Sequence, residues 1–139
     1  MKLFLYYIGK ARDAHFNASA EEYIKRSSRF AKCEMREIHP ERFDLWVKHP
    51  SAMKILLDPL GRAVDSAGFT ELIRKAEDNG RDVVFLVGGA EGLPSEMKPR
   101  ADLLLALSEM TMPHELARVV LAEQIYRALT GLRGHPYPR

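Results

Sequence analysis

Three stretches bring chemically useful groups close together in the chain. Residues 83–93, VVFLVGGAEGL, pass from an apolar β-branched run into three glycines within five positions, with Ala90 and Glu91 between them. Glycines at the carboxyl end of a strand let the backbone turn sharply and approach a ligand closely. Residues 107–115, LSEMTMPHE, carry small polar side chains, which leave backbone N–H and C=O groups open to a ligand. The tail 134–139, GHPYPR, combines histidine, tyrosine and arginine, groups that stack on bases and pair with phosphates. Each stretch also has a plain reading. The first is then a strand-to-loop turn, the second a connection with Thr111 or Met112 capping a helix, and the third a frayed chain end.

Several familiar sites are excluded. The spacing of GGAEG fits neither G-x-G-x-x-G nor G-x-x-x-x-G-K-[ST], so the usual dinucleotide and phosphate-loop grips fail. His114-Glu115 begins like H-E-x-x-H, but Arg118 stands where the second zinc ligand belongs. Cys33 is the single cysteine, so there is no internal disulfide and no thiolate metal cluster, and a reducing compartment is expected. Glu123 and Arg127 stand four apart in a helical pattern. Their ordinary reading is a surface ion pair worth a few tenths of a kcal/mol. Their functional reading places arginines of a buried helix, Arg118 among them, at a dimer cleft that holds an anion.

These groups need a scaffold, and the apolar patterning supplies one. Strands are expected at 2–8, 33–39, 53–58, 82–88 and 103–108, the third ended by Pro59 and Gly61. Ser19 and Glu22 have capping-box spacing and open a helix that runs to Lys32. Further helices are expected at 68–80, with Gly80 as its stop, and at 113–132, with Pro113 in the first turn and Gly131 after the end. Residues 40–51 read as loop with a short helix. Strands 53–58, 83–88 and 103–108 are continuous apolar runs, as in a parallel sheet covered on both faces. The fold class is therefore α/β with a mostly parallel sheet, in one domain spanning 1–139. The longest helix has apolar residues on more than one face, which suits deep burial or a partner subunit.

Charge is unevenly spread. Residues 1–36 hold eight Lys/Arg against four Asp/Glu, residues 63–112 hold five against nine, and the stretch from Pro113 holds four against two. Basic ends and an acidic middle suit a protein that meets a polyanion with one face. No apolar run approaches the roughly 18 residues of a membrane span, and no signal peptide is read at the start. A cytoplasmic protein without membrane association is expected.

In order, LLDPLGRAV (56–64), FLVGGAEGL (85–93) and LSEMTMPHELARVVLAEQIYRALTGLRGHPYPR (107–139) resemble the RlmH-type methyltransferases of the SPOUT class. KLFLYYIGK and the EEYIKR helix look like that family's beginning. The resemblance implies an α/β knot, a deep trefoil in the C-terminal part, in a homodimer whose cofactor sites lie near the subunit interface. It implies S-adenosylmethionine as donor, no metal, and as substrate the N3 of a pseudouridine in large-subunit (23S) ribosomal RNA on assembled ribosomes. Carried over residue by residue, the cofactor positions are Leu57, Gly88, Leu107, Ser108, Glu109, Met110, Thr111 and Met112. The tail residues His135, Tyr137 and Arg139 take the place of the family's catalytic end. Arg118 and Arg127 are the candidates for contact with RNA or for bracing the dimer. The proton on N3 must leave, and His114, His135 and Glu91 are the side chains within reach of that role.

Two departures set this chain apart. The family's tail ends in Tyr-His followed by a basic residue, whereas this one reads Tyr137-Pro138-Arg139. The stretch between Ile38 and Leu57 is shorter than usual by about a dozen residues, so a family helix is missing or reduced there. Two other functions follow from weaker premises: a binding module that keeps the pocket without catalysis, motivated by the altered tail, and an α/β domain with an unrelated small-molecule ligand.

Overall fold

The computed structural model describes residues 1–137. Its elements run β1 (Lys2–Ile8), α1 (Ala14–Ser27), β2 (Lys32–Ile38), α2 (Leu45–Lys48), β3 (Met53–Ala63), α3 (Ser66–Asp78), β4 (Val83–Val87), a 3-10 helix (Ser95–Arg100), β5 (Leu103–Ala106) and α4 (His114–Leu132). The strands form one sheet in the order β2-β1-β4-β3-β5, with every pairing parallel. The expected α/β sheet flanked by helices is what forms.

Side-chain alternation along the strands divides the core in two. Leu3, Leu5, Ile55, Val83, Phe85, Val87 and Leu105 meet Ile24, Phe69, Ile73, Leu121, Ile125 and Leu129 from α1, α3 and α4. On the opposite face Tyr6, Ile38, Leu56, Val84 and Leu86 are covered by Leu45 of α2 and Met97 of the 3-10 helix. β4 lies between β1 and β3 and is buried at every position. Each such apolar side chain stabilises the fold by about 1.5–3 kcal/mol. The second face has the thinner cover, because the short stretch between Ile38 and Leu57 supplies one four-residue helix.

Local boundaries differ from the expectations where a stronger signal was available. α1 starts at Ala14 because the Asp13 carboxylate accepts the N–H groups of His15 and Phe16, both at 3.0 Å. Ser19 and Glu22 sit on its exposed side instead of opening it. The helix ends at Ser27, and Ser28 closes it with its hydroxyl on the Ile24 carbonyl. α3 runs Ser66–Asp78 with Asn79 as cap and Gly80 just beyond, as expected, but it starts earlier because Asp65 accepts the Gly68 N–H at 2.7 Å. Gly131 lies inside α4 and does not end it.

The largest difference is in β3, which does not stop at Asp58. It bulges out after Leu57 and returns, so that Leu57 and Arg62 both register with Leu105 of β5. Pro59 is tolerated because residues in the bulge give up their ladder N–H. Gly61 crosses β5 so closely that a Cβ there would lie 2.6 Å from the Leu104 carbonyl carbon. β4 and β5 end sooner than expected, and the residues that follow them turn away to form the walls of a cleft.

Candidate active site

The carboxyl ends of β3, β4 and β5 and the first turn of α4 enclose a cleft of about 430 Å³. This is where ligands settle in open parallel sheets. Of the residues expected to hold a cofactor, Leu57, Gly88, Leu107, Ser108, Met110, Thr111 and Met112 line it. Glu109 does not; it is exposed beside the mouth. Pro59, Leu93, Lys98 and Ala117 also line it, a role the sequence did not suggest for them.

Two short loops shape the cleft. After β4 the chain folds back on itself, with the Gly92 N–H donating to the Gly89 carbonyl at 2.9 Å. The fold-back leaves no room for a side chain at Gly88, where a Cβ would lie 2.6 Å from the Gly92 carbonyl carbon. After β5, the Met110 N–H donates to the Ser108 hydroxyl at 2.9 Å, which turns 107–113 across the opening. Leu60 and Met110, on the bulge and on this loop, are 93% and 79% exposed.

Among the lining residues, three carry titratable groups: Asp58, Lys98 and His114. Asp58 is buried, accepts the Leu60 N–H at 3.0 Å and pairs with the Lys98 ammonium at 3.3 Å. The Leu60 N–H and then Lys98 hold its carboxyl below the usual carboxylate range, against the opposing effect of burial. Asp58 thus fixes the shape of the bulge, a role hidden in sequence because an aspartate at a strand end has many uses. His114, the first residue of α4, makes no side-chain hydrogen bond or ion pair among the described residues. Of the three groups considered for the proton, it alone lines the cleft. Glu91 is exposed on the glycine loop, and the His135 ring packs edge-on against Phe30, centroids 5.6 Å apart.

The remaining candidates lie away from this cleft. Arg118 is 1% exposed. Its guanidinium stacks 3.8 Å from the Tyr7 ring centroid and reaches Asn17 at 3.3 Å and Glu115 at 3.5 Å. It braces α4 against β1 and α1 and offers no surface to an RNA. Arg127 is half-buried on the outer side of α4 and pairs with Glu123 at 2.7 Å, as the helical spacing suggested. Tyr137 joins that pair through its hydroxyl, which donates to Glu123 Oε2 at 2.5 Å. Its ring lies 4.6 Å from that of Tyr126 and 5.5 Å from the Arg127 guanidinium carbon. Leu116 and Val120 are half-exposed and join neither core. With Glu123 and Arg127 they form one side of α4. Pro138 and Arg139 lie outside the described residues. Among the described residues no cluster of three or more metal-ligating side chains occurs, and no helix is long and apolar enough to cross a membrane.

Comparison with known proteins agrees with this architecture. A family described as "Predicted SPOUT methyltransferase" matches residues 1–138. A protein of Solibacter usitatus named ribosomal RNA large subunit methyltransferase H is 60% identical over 139 residues, covering the whole of both chains. One of the same name from Burkholderia multivorans is 37% identical over 155 aligned positions, covering all of this chain and 99% of its relative. This second alignment is longer than the 139-residue chain, in keeping with a segment absent here. In fold the chain is similar to a probable methylase family protein from Haemophilus influenzae, with TM-score 0.67, 11% identity, and coverage of 99% of this chain and 70% of the other. It is similar also to a probable methyltransferase from Bordetella pertussis, with TM-score 0.63, 13% identity, and coverage of 92% and 93%.

Proposed function

The chain belongs to the SPOUT methyltransferase family, among its RlmH-type members, and we propose from that premise that it methylates large-subunit ribosomal RNA with S-adenosylmethionine as donor. The observation that supports this most is the cleft. Residues far apart in sequence that the resemblance assigned to the cofactor (Leu57, Gly88 and all of 107–112 but Glu109) converge on one cavity. Its size is that of a small-molecule site. Its walls suit the donor: apolar side chains for a purine ring, open backbone at 107–112 for its edge, and a glycine cradle that a Cβ would fill.

S-adenosylmethionine supplies a methyl group on a sulfonium, which needs no metal to be transferred. The protein's part is to bind, orient and manage one proton. Leu57 and Leu107, which line the cleft, would hold its aromatic portion, and the backbone of 107–112 would offer hydrogen-bonding groups to it. The Asp58–Lys98 pair keeps the bulge closed over β5. His114 lines the cleft and makes no side-chain hydrogen bond among the described residues, so in this reading it is the group placed to take the proton that a pseudouridine N3 must lose before it attacks. N3 of pseudouridine on assembled ribosomes is the target in this reading.

Two architectural features complete it. The crossing of 58–62 over β5, ahead of the chain's entry into α4, supports a trefoil threading of the C-terminal part. The half-exposed side of α4 bearing Leu116 and Val120 supports a homodimer paired across that face, which puts each cleft beside the interface, since Ala117 lines it. In this reading the tail residues His135, Tyr137 and Arg139 take part in substrate handling. The direct test is transfer of labelled methyl from S-adenosylmethionine to ribosomes. Label in large-subunit RNA is expected. Binding of the cofactor product with no transfer would favour the binding-module reading, and failure to bind would refute both.

A further inference from the structure

Residues 9–13, between β1 and α1, carry the exposed cations Lys10 and Arg12, with the exposed His15 as the second residue of α1. Among the described residues none of the three side chains has a salt-bridge partner. This loop is pinned to the cleft from two sides. Gly89 of the glycine loop packs against it, with Ile8 O 3.0 Å from where a Gly89 Cβ would sit and the Gly89 Cα 3.8 Å from where a Gly9 Cβ would sit. Glu115, next to the cleft residue His114, accepts the N–H groups of Arg12 at 2.8 Å and Asp13 at 3.2 Å.

The carboxylates at this rim are turned inward. Glu115 is engaged by those two N–H groups and by Arg118, and Asp13 caps α1. The cations point outward. On the loops after β4 and β5 the exposed charges are negative, Glu91 and Glu109, while the β3 bulge carries the exposed Arg62. On the neighbouring loop after β2, Arg42 lies beside Glu41 at 4.0 Å and His39 between Glu37 and Glu41. The rim at 9–13 therefore presents two cations without salt-bridge partners among the described residues to a polyanion on its way to the cleft.

We propose that Lys10 and Arg12 form a phosphate-gripping rim that holds the ribosomal RNA backbone next to the nucleotide entering the cleft. The inference rests on the RNA-methylation reading and adds to it the surface that docks the substrate. Contacts of this kind raise affinity without reading sequence and release counterions, so their signature is salt dependence.

The test is the Lys10→Ala/Arg12→Ala double variant, measured for methyl transfer to ribosomes over a range of KCl concentrations. The rim predicts a KM for ribosomes raised roughly tenfold at moderate salt. The slope of log kcat/KM against log salt should become shallower by about one for each cation removed. Affinity for S-adenosylhomocysteine and kcat at saturating ribosomes should stay within about twofold, and Lys10→Arg/Arg12→Lys should restore both KM and slope. An unchanged KM and slope would overturn the rim while leaving the methyltransferase intact. Loss of S-adenosylhomocysteine affinity in the double variant would overturn it too, by showing that the loop only supports the cleft. Flotation with anionic phospholipid vesicles that depends on the two cations, with ribosome kinetics unaltered, would assign the loop to a membrane surface instead. A wild-type protein that labels no ribosomal RNA would refute the underlying reading and this inference together.

Discussion

Tyr137 donates its hydroxyl to Glu123 at 2.5 Å, which ties the tail to the outer side of α4 beside Arg127. Burial, and then the Glu123 carboxylate, push the Tyr137 phenol above its ordinary pKa. The group is therefore a hydrogen-bond donor throughout the physiological range and not a base. Tyr137→Phe removes one hydrogen bond, with a net stability cost of about 1 kcal/mol. If the tail handles substrate, methyl transfer falls by roughly 10- to 100-fold, because a misplaced contact group costs that much. Calorimetric affinity for S-adenosylhomocysteine should not change. Normal turnover in this variant would remove the tail from the mechanism.

Asp58 links pH to the closure of the bulge. Its carboxyl is depressed in the folded protein, first by the Leu60 N–H and then by Lys98. Its stabilising contribution is thus fully present above the unfolded carboxylate value, near 4, and is lost as pH falls through the lower folded value. Thermal melts of the wild type should lose stability from about pH 4 downward, and Asp58→Asn should flatten that part of the profile. Hydrogen exchange localised to 58–62 would report the same opening. An identical acid profile in the variant would deny Asp58 this role.

Gly88→Ala places a Cβ against the Gly92 carbonyl, a contact that the loop can relieve only by moving. The loop lies at the surface end of β4, so the fold should survive with a loss of about 1–3 kcal/mol. Affinity for S-adenosylhomocysteine should drop by tenfold or more. Unchanged affinity would show that this loop does not touch the cofactor.

The two arginines of α4 should respond differently to alanine. Arg118 is enclosed by Tyr7, Asn17 and Glu115, so Arg118→Ala should cost about 2–4 kcal/mol in chemical denaturation by breaking a buried network. Arg127 is part of a helix-surface pair, and Arg127→Ala should cost under about 1 kcal/mol. Equal stability losses would contradict the assignment of Arg118 as the internal brace.

The sheet was readable from sequence because its strands are apolar runs separated by turn residues, and burial on both faces demands that pattern. Helix starts were less readable. Ser19 and Glu22 have the right spacing for a cap, but Asp13, closer to β1, reaches two N–H groups first. The bulge of β3 was hidden because Pro59 and Gly61 ordinarily end a strand. Here they let it leave the ladder and cross β5, a long-range contact that no local pattern encodes. For the same reason the Asp58–Lys98 pair, forty residues apart in the chain, was invisible, whereas the glycine loop and 107–112 stood out by their residue types and resemblance tied them to a cofactor. The loop at 9–13 drew no notice because its position beside the cleft depends on Glu115, at the far end of the sequence. Arg118 looked available on a helical pattern, and burial against Tyr7 corrects that.

The central claim is tested most directly on the product. Ribosomes from cells lacking this protein would be incubated with it and with methyl-labelled S-adenosylmethionine, and the large-subunit RNA digested and resolved by mass spectrometry. The account predicts labelled N3-methylpseudouridine. It predicts none with Gly88→Ala at a cofactor concentration too low for that variant to bind. Label in any other nucleoside would contradict the proposed target, and no label despite cofactor binding would contradict the enzyme.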